Sequence, residues 1–448
     1  MSRTADGGRV CLTLPTNRAC AHTIASIGEE AVYAAGQFGV EVHLLVLDSS
    51  DESTFALHAK AVAALPPTAG VVVHHLDEAR QRAFLRRVID ASGVAEPARV
   101  LDLMLPDAVS YGACTNRAFL IAAALGCRSV HRRDSDGDYQ VLDGRPVFPI
   151  HHELLSLGRR AADAAADVTE NALDPAHAGK PVSLVGGSFI GELSVDIGEI
   201  RELDQAVYDE VVGLWAPTGA SARERQELVD DSFTGGGTEP FTHDRALLDL
   251  PDVFRIDLCN VGFDHEVYER LPLPSATDTI GSDYFLLHVV RDATLPGVVH
   301  NRHIVNYYTP ERRTGPGFTA YQLRFTKFLL SMLYLHPVYS DMEAAGGALL
   351  DDEHRLRVRV IADSVRRSIG TDRAENVRRL AVLDRSYRRL GGRYAEFADH
   401  LAPLRDRLLD EARADTEDFA LLIEAWGPLV RACRAAGPEL SARRPGLE

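Results

Sequence analysis

The sequence predicts an α/β protein with a mostly parallel sheet flanked by helices and an all-α region at its C-terminal end. Three observations predict it. From Arg9 to Ala91, short apolar runs alternate with stretches of helical periodicity, an order that calls for parallel strands joined by right-handed crossovers. The first two apolar runs end in polar clusters, Pro15-Thr16-Asn17-Arg18 and Asp48-Ser49-Ser50-Asp51. From Thr319 onward, apolar residues recur at spacings of three and four between Arg and Glu, the period of packed helices.

Taken in order, residues 1–8 read as disordered, and Arg9 begins a buried parallel strand closed by Pro15. Helix Ala21–Gln37, strand Val40–Leu47, helix Glu52–Leu65, strand Gly70–His75 and helix Leu76–Ala91 follow. A helix carrying Ala118, Ile121, Ala122 and Leu125 on one stripe stops at Gly126. The short strand after it, Cys127–Val130, runs into Arg132-Arg133-Asp134-Ser135-Asp136. Ala161–Ala176 reads as an alanine-rich helix, Pro181–Leu193 as a strand with Gly186-Gly187 at a bulge, and Leu203–Trp215 as an amphipathic helix. Residues 216–240, ending in three consecutive glycines, read as a loop, either a lid or a linker. Residues 298–317 give an apolar strand interrupted by His300 and His303. The expected organisation is a catalytic domain over 9–318, a helical domain over 319–436 with a core of its own, and a flexible tail from 437.

Bulk properties narrow the function. A chain of 448 residues, 46% hydrophobic and 25% charged, has the composition of a globular protein, and its net charge of −17 argues against a nucleic-acid partner. The six cysteines form no CxxC pair and read as buried thiols of a reducing compartment. No apolar run approaches the roughly 20 residues that span a bilayer, so a cytoplasmic location is expected. Neither GxGxxG after the first strand nor GxxxxGK[ST] anywhere is present, which removes the usual dinucleotide and P-loop phosphate cradles.

The chemistry is concentrated at Asp134 and Asp136. Two carboxylates two residues apart at a strand end repel, and a divalent cation would remove that cost. Mg²⁺ or Mn²⁺ often takes one or two protein carboxylates and completes its shell with water and substrate phosphates. The same Asp-Ser-Asp-Gly-Asp is also good turn chemistry.

A strand ending in Pro-Thr-Asn-Arg, a second ending in Asp-Ser-Ser-Asp, a helix bearing Asn116 and a strand ending in Asp-x-Asp together resemble the GT-A glycosyltransferases, especially their large inverting family. The resemblance covers roughly residues 9 to 312 and implies a GT-A-like (Rossmann-like) sheet. It implies that Pro15, Thr16, Asn17, Arg18 and Asp48 meet the nucleotide, with Asp48 on the base. Asn116 and Arg133 would lie near the donor, and Asp134 and Asp136 would hold Mn²⁺ or Mg²⁺. His303 or His300 matches loosely the place of a third metal ligand, and Asn306 stands where some members carry it. Gly281-Ser282-Asp283-Tyr284 resembles the segment that presents the catalytic acid, with Asp283 in that role; Ser282 and Asp283 are equally helix N-cap residues. Arg312 and Arg313 could fork onto a pyrophosphate or form a solvated basic turn. The function expected is transfer of a sugar from a nucleotide diphosphate sugar to a small-molecule acceptor such as a specialised metabolite, with inversion favoured by Asp283. A sugar-phosphate nucleotidyltransferase and a non-catalytic binding protein on the same scaffold remain alternatives, and the C-terminal helices could shape the acceptor site or form a homodimer.

Overall fold

The computed structural model describes residues 8–193, 197–282, 284–307, 309, 312 and 314–437. Strand β1 (Arg9–Thr16) shows why a sheet forms here: Val10, Cys11, Leu12 and Leu14 are each 0% exposed, so both faces of the strand are covered. Such a strand needs helices on both sides. They are α1 (Ala21–Phe38), α2 (Glu52–Ala64) and α3 (Glu78–Ser92), alternating with β2 (Glu41–Asp48) and β3 (Val71–Leu76). Asp51 and Asp77 cap α2 and α3, each accepting a hydrogen bond from a backbone N–H of the first turn. After α4 (Pro97–Met104) and α5 (Tyr111–Leu125) comes β4 (Ser129–Arg133), which pairs parallel to β1 with Leu12 opposite His131.

The remaining strands are short: β5 (Gly137–Tyr139), β6 (Val141–Leu142), β7 (Arg145–Pro146), β8 (Glu170–Asn171), β9 (Leu184–Gly186), β10 (Phe189–Gly191), β11 (Ala246–Asp249), β12 (Asn260–Asp264), β13 (Gly297–His300) and β14 (Ile304–Asn306). The main sheet runs β3-β2-β1-β4-β12-β9-β13-β11-β8, and β10-β14-β5 form a smaller one. β12 is antiparallel to β4 and to β9, with Asn260 opposite Arg133. The ends of β1, β2 and β4 therefore meet the start of β12 at one edge of the sheet. This is a mostly parallel mixed sheet flanked by helices.

The middle of the chain differs from its sequence pattern. Ala161–Ala176 is α-helical only over Ala161–Ala164, followed by a 3-10 turn at Ala165–Asp167 and a second one opening at Pro175. Thr169 turns to the sheet edge instead, its hydroxyl and amide both bonding to the carbonyl of Ala246. Pro181–Leu193 divides into β9 and β10, which belong to different sheets. At the break, a Cβ on Gly187 would lie 2.7 Å from the His300 carbonyl oxygen, so the glycine permits the approach. Leu203–Trp215 is interrupted at Asp204, which caps the helix Gln205–Val212 through the amides of Ala206 and Val207. Within 216–240 a helix, Ala222–Asp231, opens on a Ser221/Glu224 capping box. The expected strand over 298–317 is β13 and β14, again in separate sheets.

The C-terminal helices do not bury a core of their own. Gly315–Ala345 and Arg405–Ala436 belong to one continuous apolar cluster with α3, α4 and α5. Trp426, 0% exposed, donates its indole N–H to the Tyr268 carbonyl at 2.9 Å and ties the last helix to the short helix His265–Tyr268 that follows β12. Trp426→Ala should therefore cost about 3–5 kcal/mol and lower the unfolding midpoint reported from the sheet as well as from the helices, measured by urea titration.

His43 on β2 and His74 on β3 stack at 5.2 Å and share a 2.9 Å hydrogen bond. Burial, helped by the neighbouring His43, pushes His74 down from 6.5 to about 4. A neutral buried imidazole stabilises the fold above its unfolded value, and that contribution is lost as pH falls from 6.5 towards 4. Stability should drop across that interval, and His74→Phe should flatten the drop in denaturation curves recorded from pH 7 to 4.5.

Candidate active site

At the edge where β1, β2 and β4 end lies a cleft of about 730 Å³, of the size that small-molecule sites have. Pro15, Thr16, Asn17 and Arg18 line it from the end of β1, Ser49 from the end of β2, and Asp134, Ser135 and Asp136 from the end of β4. Ser110 and Tyr111 enter from the start of α5, and Arg312, Tyr321 and Arg324 from the far wall. A groove of about 690 Å³ between residues 266–270 and the helices Val358–Ser368 and Arg405–Ala436 receives no strand end, and its Arg366 is already paired with Glu424.

Charge compensation organises the cleft. Asp136 Oδ2 accepts from Arg18 at 3.2 Å and from Arg312 Nη2, and Asp134 Oδ1 pairs with Arg132 at 2.7 Å. Arg132 and Arg312 are each only 2% exposed, which strengthens both attractions. Burial pushes the Asp134 carboxyl up; Arg132 opposes that and the Asp136 charge adds to it. Tyr321 lies beside two guanidiniums, Arg312 at 5.0 Å and Arg324 at 4.6 Å from its ring centre. Its burial alone would raise the phenol, but Arg312 and the other arginines outweigh it and bring it below its ordinary value.

The two aspartates suit a divalent cation. Each gives one oxygen to arginine, and the second oxygen of each has no hydrogen-bond or ion-pair partner among the described residues. Two open carboxylate oxygens on one strand end, facing a cleft, match hard cations that take their other ligands from water and phosphate. No third His, Cys, Asp or Glu joins them among the described residues. The one group of three close enough to hold a metal there is Asp48, His58 and His75.

That trio is a hydrogen-bonded clamp. Asp48 Oδ2 accepts from His58 Nδ1 at 2.7 Å and His75 Nε2 at 2.8 Å, while Oδ1 accepts from the Ser50 amide and hydroxyl. All four acceptor positions of the carboxylate are thus filled. Burial would raise Asp48, but these bonds hold it far below the usual carboxylate range. The Cys20 amide donates to His58 Nε2 at 3.0 Å, which fixes the proton on Nδ1 and leaves His58 no lone pair for a metal without breaking that bond. Asp48 accordingly holds the end of β2 instead of offering an oxygen to a nucleobase, and its neighbour Ser49 reaches the cleft.

Other expected site residues lie elsewhere. Asn116 is buried and pairs reciprocally with the Leu273 backbone, at 2.8 Å both ways, joining α5 to that segment. Arg133 is enclosed by Glu30 and Glu153. Successive residues of a strand point to opposite faces, so Arg132 takes the cleft side and Arg133 the other. His300 is buried against His152, with ring centres 5.5 Å apart, and His303 Nδ1 accepts the Ser188 amide at 3.1 Å. Neither histidine is in the cleft wall, whereas Asn306 is. Asp283 and Arg313 lie outside the described residues. Arg132, Tyr111, Tyr321 and Arg324 are cleft residues the sequence pattern did not single out; the spacing Tyr321-x-x-Arg324 on one helix face was the available signal.

Residues 8–442 match the model of DUF6271, described as a family of unknown function, and the protein belongs to that family. No curated protein matches the sequence. Among solved structures, it is similar to the mannosyltransferase PcManGT from Pyrobaculum calidifontis in complex with GDP-Man and Mn²⁺, at 13% identity and a TM-score of 0.35, over 93% of this chain and 87% of that one. Mannosyl-3-phosphoglycerate synthase from Rubrobacter xylanophilus is similar at 15% identity and a TM-score of 0.31, over 70% of this chain and 71% of that one.

Asp48→Asn should cost about 3 kcal/mol or more, because it removes a charged acceptor from buried donors, as read by urea unfolding. Adding Mn²⁺ should give the wild-type clamp no stabilisation that this variant loses, as read by melting temperature.

Proposed function

We propose that the protein is a metal-assisted glycosyltransferase that moves a sugar from a nucleoside diphosphate sugar to a small-molecule acceptor, with inversion. The observation that carries this reading is the pair Asp134 and Asp136, set among Arg18, Arg132 and Arg312 in a cleft at the ends of parallel strands. In open α/β sheets that edge is where nucleotides bind. Two carboxylates with open oxygens beside three guanidiniums suit a diphosphate accompanied by a divalent cation.

Pro15 to Arg18 and Ser49 form the nucleotide end of the cleft. Arg18 and Arg312, both on Asp136, are placed to exchange that carboxylate for phosphate oxygens when the donor enters. Mn²⁺ or Mg²⁺ held by Asp134 and Asp136 would supply Lewis-acid neutralisation of the leaving group's charge. Asp283 takes the proton from the acceptor nucleophile as it attacks the anomeric carbon. The bond from that carbon to the phosphate oxygen breaks, and the nucleoside diphosphate leaves with the electron pair. Arg132, paired with Asp134 at 2.7 Å, offsets part of the cost that burial imposes on that carboxylate's charge.

Thermal melting with a panel of nucleoside diphosphates, each with and without Mn²⁺ or Mg²⁺, tests this. A ligand at a hundred times its dissociation constant adds about 2.7 kcal/mol, a rise of several degrees. One base should give a metal-dependent rise that Asp136→Ala abolishes; no rise with any nucleotide would refute the proposal.

A further inference from the structure

Besides the arginines on Asp134 and Asp136, the cleft is lined by Arg117, which is bound to Gln81 and the Met104 carbonyl, and by Arg324. Arg324 has a side chain 11% exposed, yet its nearest carboxylate among the described residues is Asp278, half-exposed and 3.9 Å away. Its Nη1 donates weakly to the Tyr111 hydroxyl at 3.3 Å, and its Nε is buried without a hydrogen-bond partner among the described residues. Ser282, 7% exposed, lines the same cleft next to Gly281, which packs on Phe328 one helical turn from Arg324, and its buried hydroxyl has no hydrogen-bond partner among the described residues. Two buried donors unsatisfied at one end of a cleft carry a cost that an acceptor group on a ligand would remove.

The surroundings favour negative charge. Ser110 and Tyr111 belong to the N-terminal end of α5, capped by the Ser110 hydroxyl on the Ala113 amide. Gly317 and Tyr321 belong to the first turns of the helix Gly315–Ala345. Both helices thus direct the positive ends of their dipoles to the cleft that Arg324 and Ser282 line. The segment carrying Ser282 is held there by two bonds: the Ser110 hydroxyl donates to the Ser275 carbonyl, and the Asp278 amide to that of Val109.

We propose that this end of the cleft binds an anionic group, carboxylate or phosphate, on the acceptor, so that the acceptor substrate is an acid held by Arg324 and Ser282. The proposal rests on the glycosyltransferase reading for the word acceptor, since the donor's diphosphate is matched by Arg18, Arg132 and Arg312 around Asp134 and Asp136. Tyr321, in contact with both Arg312 and Arg324, marks where the two sets meet.

The test is calorimetric titration of the full-length protein with inorganic phosphate and, separately, with acetate, each alone and in the presence of saturating nucleoside diphosphate and Mn²⁺. Wild type is compared with Arg324→Gln, Arg324→Lys, Ser282→Ala and Arg18→Gln. At least one anion should bind with the nucleotide present, and which one does so separates a phosphorylated from a carboxylic acceptor. Arg324→Gln should weaken that anion about tenfold or more, Ser282→Ala less, and Arg324→Lys should recover part of the loss, while nucleotide affinity stays unchanged. Equal anion affinity in all variants, or no anion binding, would overturn the proposal. Loss of nucleotide affinity in Arg324→Gln would also overturn it and assign Arg324 to the donor. Should no nucleotide bind at all, the glycosyltransferase reading fails by itself; the anion site is then judged on the free protein, where Arg324→Gln but not Arg18→Gln should weaken the anion.

Discussion

The electrostatic balance at the end of β4 is the constraint on which the site depends. Asp134 and Asp136 would repel each other at the mouth of a buried strand, and the chain answers with Arg132 from the same strand, Arg18 from the end of β1 and Arg312 from beyond β14. Each of those arginines needs its own element in place. Arg18 is correctly placed only because β1 pairs with β4 in parallel register, and Arg312 only because the chain returns to the cleft after the small sheet formed by β10, β14 and β5. The cleft is therefore a product of sheet topology and not of any one motif.

Around that centre the polar residues divide into those that hold the frame and those that line the cleft. The Asp48 clamp fastens β2 to α2 and to the Cys20 turn, Asn116 fastens α5 to Leu273, and Arg133 with Glu30, Glu153 and Tyr139 fills a buried network behind the strand. Saturated buried groups of this kind are rigid, because leaving any member unpaired is costly. A rigid frame holds in place the residues that line the cleft, among them Asp134, Asp136, Arg324 and Ser282.

Much of this was legible in the sequence, for physical reasons that also set its limits. The first three strands and their helices were readable because crossover units impose two periodicities in alternation, and the C-terminal helices because their apolar spacing is sustained. The segment from 161 to 240 was not, since alanine-rich composition suggests helix while the decisive facts, such as Thr169 bonding across to Ala246 and Asp204 capping a new helix, are pairings with other residues. Pro15 to Arg18, Asp134, Asp136 and Arg312 reached the cleft because strand ends and the loops beyond them are where such sheets expose chemistry. Asp48, Asn116, Arg133, His300 and His303 have the right residue types, but their side chains are committed to the interior or lie outside the cleft wall. One-residue parity separated Arg132 from Arg133, a distinction that a strand boundary placed at Val130 could not make.

The central claim is that Asp134 and Asp136 hold a divalent cation together with a nucleoside diphosphate. The most direct measurement is anomalous diffraction at the manganese edge from crystals grown with Mn²⁺ and the nucleoside diphosphate. A single strong peak between the Asp134 and Asp136 carboxylates, with diphosphate density against Arg18 and Arg312, is the predicted result. A peak at the Asp48 clamp instead, or a bound nucleotide with no manganese at the end of β4, would contradict it.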